Sequence, residues 1–118
     1  MTQHERRNAP RADARLPIRL SVDGNAQAAE LKDISTNGLA CRYHGEALGE
    51  MTLMAVHLEL PGTDTAHRIE GVIVRCDKVR GVHPPTYEVA IYFTEIDAKA
   101  RDAIRAFVAT TLANTTTG

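Results

Sequence analysis

Residues 68–93, RIEGVIVRCDKVRGVHPPTYEVAIYF, decide the fold of this chain. RIEGVIVRC (68–76) is a short run rich in β-branched residues with apolar side chains on both faces, which reads as a strand. GVHPPT (81–86) is a loop stiffened by two prolines. YEVAIYF (87–93) puts Tyr87, Val89, Ile91 and Phe93 on one face by period-2 alternation, a strand with one face in a core. No helix-length segment separates the two runs, so their connection is hairpin-like and the pair is antiparallel.

The same grammar extends towards the N-terminus. MTLMAVHLEL (51–60) alternates Met54, Val56, Leu58 and Leu60 onto one face, and PGTDT (61–65) turns the chain towards residue 68. GLACRY (38–43) is a short strand entered through STNG. LPIRLSV (16–22) and AQAAELKDIS (26–35) flank Asp23-Gly24-Asn25, a hairpin-turn composition. Only the C-terminal end has helical spacing. Asp97 is placed to cap residues 98–112, with Ala100, Ile104, Phe107, Val108 and Leu112 on one stripe. The fold expected is therefore mainly β, a six-stranded antiparallel barrel with a C-terminal α-helix plugging one mouth.

The chain has 118 residues, 43% apolar and 25% charged, which suits one ordinary globular domain. Residues 1–14 hold few apolar side chains and read as a flexible arm, residues 15–113 as barrel plus helix, and residues 114–118 (NTTTG) as a disordered tail that stops the helix. The N-terminal residues lack a secretory signal, and no segment approaches the roughly 20 apolar residues that span a bilayer. Cys41 and Cys76 sit in apolar runs with no CxxC pairing and read as buried reduced thiols, so a cytoplasmic location is expected.

Net charge is −1, which removes any general attraction to nucleic acid or acidic membranes. The distribution carries more information. Arg6, Arg7, Arg11, Arg15 and Arg19 fall in the first twenty positions against only Glu5 and Asp13, making a local cationic arm. Arginine presents a planar fork of donors suited to phosphate oxygens and to the acceptor edge of guanine, where lysine is a mobile point charge.

Two clusters carry candidate chemistry: Arg6-Arg7-Asn8-Ala9-Pro10-Arg11, and Asp33-Ile34-Ser35-Thr36-Asn37-Gly38. Each has a bland reading, arginines in a solvated tail and a turn in which Asp and Ser bond nearby amides while Gly supplies a positive φ. Together, ahead of barrel strands and a terminal helix, they resemble the PilZ family. The family pattern is RxxxR followed by (D/N)xSxxG, matched by Arg7 to Arg11 and by Asp33 to Gly38.

The resemblance implies a receptor for cyclic di-GMP, a bacterial source and a non-catalytic role exercised through a protein effector. Arg7 and Arg11 would clasp phosphates and guanine edges, with Asp33 and Ser35 meeting the other face of the ligand. Cyclic di-GMP bears two phosphate charges and two guanines offering both donors and acceptors, so a site needs arginine donors and a carboxylate acceptor. Gly38 reads first as a tight-turn residue, with close approach of bare backbone to a purine as the alternative. Arg6 either supports a stacked pair of ligands or is a solvated tail residue. Arg75 either projects towards the ligand or, the preferred reading, pairs with a neighbouring carboxylate. Arg15 and Arg19 read as structural.

Other chemistries lack support. His4, His44, His57, His67 and His83 form no zinc-type spacing, so no metal is expected. Asp33, Ser35 and His44 lack the GxSxG context of a hydrolase, and no phosphate-binding GxxxxGK[ST] or GxGxxG loop occurs. Two rivals from other classes remain. A nucleic-acid-binding barrel is disfavoured because aromatics are 4% of the chain and Tyr87 and Phe93 share the core phase. A ligand-independent adaptor is disfavoured because both motifs are intact.

Overall fold

Asp23 and Gly24 both adopt positive φ, 52° and 80°, between residues Val22 and Asn25 that pair directly. That is a two-residue hairpin loop whose twist matches the strands it joins. The computed structural model describes residues 9–62 and 65–117. Its elements are β1 (Ala12–Val22), β2 (Asn25–Ile34), β3 (Gly38–His44), β4 (Leu53–Glu59), β5 (Ala66–Lys78), β6 (Thr86–Glu95) and α1 (Ala98–Thr117). The strands close into an antiparallel barrel in the order β1-β2-β3-β6-β5-β4, with β4 returning to β1.

Inward positions follow the alternation. Ile18 and Leu20 of β1, Leu31 and Ile34 of β2, Leu39 and Cys41 of β3, Met54, Val56 and Leu58 of β4, Ile69 and Ile73 of β5, and Val89, Ile91 and Phe93 of β6 form one buried cluster. Closure removes exposed sheet edges, so every strand is paired on both sides. The helix adds Ala100, Ile104 and Val108 to this core. Its start is fixed as expected: the Asp97 carboxylate accepts from the Ala100 amide at 2.8 Å, an N-cap of a kind that contributes about 1 kcal/mol. No helix among the described residues is long and apolar enough to cross a membrane.

Four expectations need correction. β1 begins at Ala12, not near residue 16, so residues 12–14 belong to the barrel and not to the arm expected over 1–14, whose first eight residues lie outside the described ones. Ala12 is fully buried and Ala14 packs against the core. Two alanines carry the inward phase, too small to register as an apolar run. A bulge between Asp13 and Leu16 further masks the pairing. At the other end α1 runs to Thr117, through the stretch expected to be a disordered tail. Extending a docked helix by one residue costs only a few tenths of a kcal/mol even for threonine, whereas nucleation is the expensive step.

The other two corrections are local. Gly38 has no positive φ. Its role is close approach, because a Cβ there would overlap the carbonyl oxygen of Ile91 on β6. Cys76 is only partly buried, unlike Cys41.

Both thiols are free, and each is the lateral neighbour of Val89, from β3 and from β5. Two strand spacings, about 9–10 Å, lie beyond the roughly 7 Å that a disulfide spans. Burial, with a smaller contribution from Cys76, pushes the Cys41 thiol up to about 12. In the folded protein at pH 8, iodoacetamide is therefore expected to alkylate Cys76 and spare Cys41, read by peptide mass spectrometry. Because the folded value lies above the unfolded one, Cys41 costs stability as pH rises past about 8.5, where the unfolded thiol ionises first. Equal labelling of both cysteines would contradict the burial of Cys41.

Candidate ligand groove

Spacing within Asp33-Ile34-Ser35-Thr36-Asn37-Gly38 translates directly into geometry. Ile34 and Leu39 are paired residues, and the Ser35 amide donates to the Gly38 carbonyl at 2.9 Å, so Thr36 and Asn37 form the tip of the β2–β3 hairpin. The Ser35 hydroxyl accepts from the Asn37 amide at 3.1 Å and is 2% exposed. Ser35 therefore organises the turn from within. It does not line the groove described next. Ile34 points into the core, so Asp33 points outward.

Register then carries the site across four strands. Asp33 lies beside Ala40, Ala40 beside Ala90, and Ala90 beside Arg75. Asp33 and Arg75 thus bracket a row of two alanines, three strand spacings or about 14 Å apart. In the next outward row Gly38 lies beside Tyr92, and Tyr92 beside Val72. Gly38, Ala40 and Ala90 make a shelf almost free of side chains. Above it opens a groove of about 720 Å³, lined also by Arg11, Asn37, Val74 and Tyr92. That volume suits a ligand of nucleotide-dimer size. Bulges in β2 beside Asp33 and in β5 beside Val74 sit at its two ends, which is where bulges re-aim side chains.

Arg11 precedes the buried Ala12 and so turns outward onto Asp33, with Nη1 2.7 Å from Oδ1. The two motifs are therefore joined directly. At the far end Arg75 pairs with Asp77 at 3.2 Å, the neighbouring-carboxylate pairing expected for it, while still lining the groove. Both pairs are solvent-accessible, and exposed pairs are worth only about 0–1 kcal/mol. An anionic ligand can take either arginine from its carboxylate at small cost.

Below the shelf the cations are committed elsewhere. Glu88 accepts from Lys32 at 3.0 Å and from the Arg42 guanidinium at 2.9 Å, and these hydrogen bonds hold its carboxyl below the usual carboxylate range. The available positive charge thus lies at the two ends of the shelf.

Of the residues expected from sequence, Arg11, Asp33, Gly38 and Arg75 come together in the groove, while Ser35 lies behind it. Arg6 and Arg7 lie outside the described residues. Sequence reasoning missed Tyr92, Ala40, Ala90, Asn37 and Val74. For Tyr92 a signal existed: it is out of phase with Tyr87, Val89, Ile91 and Phe93, hence an aromatic side chain aimed at solvent.

Comparison with known proteins matches this description. A family model described as the PilZ domain matches residues 5–110. No curated protein matches the chain in sequence. Among solved structures, the Bacillus subtilis inhibitor of motility MotI/DgrA superposes with a TM-score of 0.77 at 18% identity, over 91% of this chain and 51% of that one. The PilZ domain of YcgR from Escherichia coli, solved with cyclic di-GMP, gives 0.71 at 14% identity, over 93% of this chain and 94% of that one. The MrkH–cyclic di-GMP complex from K. pneumonia gives 0.72 at 15% identity, over 92% of this chain and 53% of that one. This chain spans about half the length of MotI/DgrA and MrkH.

Proposed function

As the chain belongs to the PilZ domain family, we propose that it is a non-catalytic receptor for cyclic di-GMP that signals through a protein effector. The observation that carries this reading is the shelf bracketed by Arg11–Asp33 and Arg75, with Arg11 of the first motif meeting Asp33 of the second at its edge. Two of the similar structures were solved with cyclic di-GMP, which supports the same ligand here.

In the proposed complex, Arg11 leaves Asp33 for a phosphate or a guanine acceptor edge, and Asp33 accepts from a guanine N1–H or N2–H. Ser35 contributes indirectly, by holding the hairpin that presents Asp33. Gly38 keeps the shelf low enough for a flat ligand to lie on it. Arg7 supplies a second guanidinium, and Arg6 a third that offsets repulsion when two stacked ligands are held. Capture of the ligand folds residues 5–11 over the groove and creates the surface that the effector reads.

Amide resonances report this directly. Titration with cyclic di-GMP is expected to shift amides of 33–40, 74–75 and 90–92 and to slow hydrogen exchange in residues 5–11. Shifts confined to other faces of the barrel would refute the site; unchanged exchange in 5–11 at saturation would refute the arm switch.

A further inference from the structure

Three tyrosines and two phenylalanines are the chain's only aromatic side chains. Tyr43 and Phe93 are in the core, and Tyr87 and Phe107 pack against it. Tyr92 alone is more than half exposed, at 55%, and it lines the groove. Its lateral neighbour on β3 is Gly38, which has no side chain to cover it. Two pairs further along the same strands, on the same face, the residues are Ala40 and Ala90, again small. The groove side of the tyrosine is therefore left open by three neighbouring small residues, Gly38, Ala40 and Ala90. Elsewhere on the outer face of these strands the neighbours are long and charged, Arg42 beside Glu88.

We propose that Tyr92 is the stacking platform for one purine of the bound dinucleotide, with Gly38, Ala40 and Ala90 keeping the approach clear for the plane of the base. This rests on reading the groove as the cyclic di-GMP site. Aromatic side chains bind bases through the π-face, which every base has, so Tyr92 adds affinity and fixes the tilt of the ligand. Discrimination for guanine stays with the hydrogen-bonding edges met by Arg11 and Asp33. Gly38 is already required by the Ile91 carbonyl, and the division of labour gives a reason for the two alanines at outward strand positions where β-branched residues would favour the sheet.

The test uses the full chain and calorimetric titration with cyclic di-GMP. Tyr92→Ala is expected to weaken binding roughly five- to hundredfold, the range for loss of a base–aromatic stack. Tyr92→Phe is expected to stay within about threefold of wild type, since the ring and not the hydroxyl carries the contact. Tyr92→Trp places the only indole in a chain without tryptophan, and its emission should be quenched with the same saturation curve that calorimetry gives. Amide circular dichroism verifies that each variant keeps its sheet.

Wild-type affinity in Tyr92→Ala would overturn the proposal. So would an equal loss in Tyr92→Phe, or indole emission that does not respond at saturation. Absence of binding by the wild-type chain would instead overturn the receptor reading itself, so the two failures are distinguishable.

Discussion

Replacing Arg11 by alanine is expected to weaken cyclic di-GMP binding by about tenfold to several-hundredfold while leaving the barrel folded. Charge-assisted hydrogen bonds are worth about 1.5–3 kcal/mol each, and 1.4 kcal/mol is a factor of ten. Folding is spared because the free-state partner of Arg11 is Asp33, in a pair whose side chains are 48% and 24% exposed. Such a pair contributes at most about 1 kcal/mol. Arg11→Lys should recover little, since an ammonium cannot reproduce the two-pronged contact of a guanidinium. Arg7→Ala is expected to fall in the same affinity range by the same arithmetic. Calorimetry and urea unfolding on the same preparations check both halves. A variant that lost stability but kept its affinity would make Arg11 a structural residue and remove the basis for the site.

Gly38→Ala is expected to destabilise the barrel by roughly 2–4 kcal/mol, as overpacking against backbone does. The new Cβ would meet the Ile91 carbonyl, with the Ile91 carbonyl carbon and the Tyr92 Cα both at 3.3 Å. None of these is the flexible end of a side chain, so β3 and β6 must separate. Separation strains the 2.8 Å bond from the Phe93 amide to the Asn37 carbonyl that fastens the hairpin tip to β6. Ligand binding should weaken in step, because the shelf and the Asp33 turn are displaced together. Urea unfolding measures the first effect. Wild-type stability would show that the strands do not approach as closely as described.

The behaviour of Gly38 illustrates what was and was not legible in the sequence. Its importance followed from the motif, but its reason did not: a glycine after Ser-Thr-Asn looks like a positive-φ turn residue, whereas its constraint comes from Ile91, far along the chain. Long-range registry is invisible to local turn chemistry. The barrel itself was legible because Met54, Val56, Leu58 and Leu60, and Val89, Ile91 and Phe93, alternate with large side chains. The start of β1 was not, because Ala12 and Ala14 alternate with side chains too small to stand out. Asp97 announced the helix start, while the helix end at Thr117 had no comparable signal.

The site was legible in part for the same reasons. Arg11 and Asp33 were picked out from residue chemistry and motif, and their contact at 2.7 Å joins the two clusters. Ser35 belonged to the motif but bonds the Asn37 amide from a buried position, and nothing in its spacing distinguished a turn-former from a ligand contact. Ala40 and Ala90 matter through the absence of side chain, and an alanine in a strand carries no signal until its lateral neighbours are known. Arg75 could be placed opposite Asp33 only once the order β2-β3-β6-β5 was established.

Isothermal titration of the purified chain with cyclic di-GMP, with GTP and a short single-stranded oligonucleotide in parallel, decides whether the groove is a cyclic di-GMP site. Saturable binding of cyclic di-GMP is expected with two ligands per chain, abolished or strongly weakened in Arg11→Ala, and no saturable binding of GTP or the oligonucleotide. One ligand per chain would keep the receptor and remove the stacked pair assigned to Arg6. No binding of cyclic di-GMP by protein shown to be folded would mean that the chain is not a receptor for this dinucleotide.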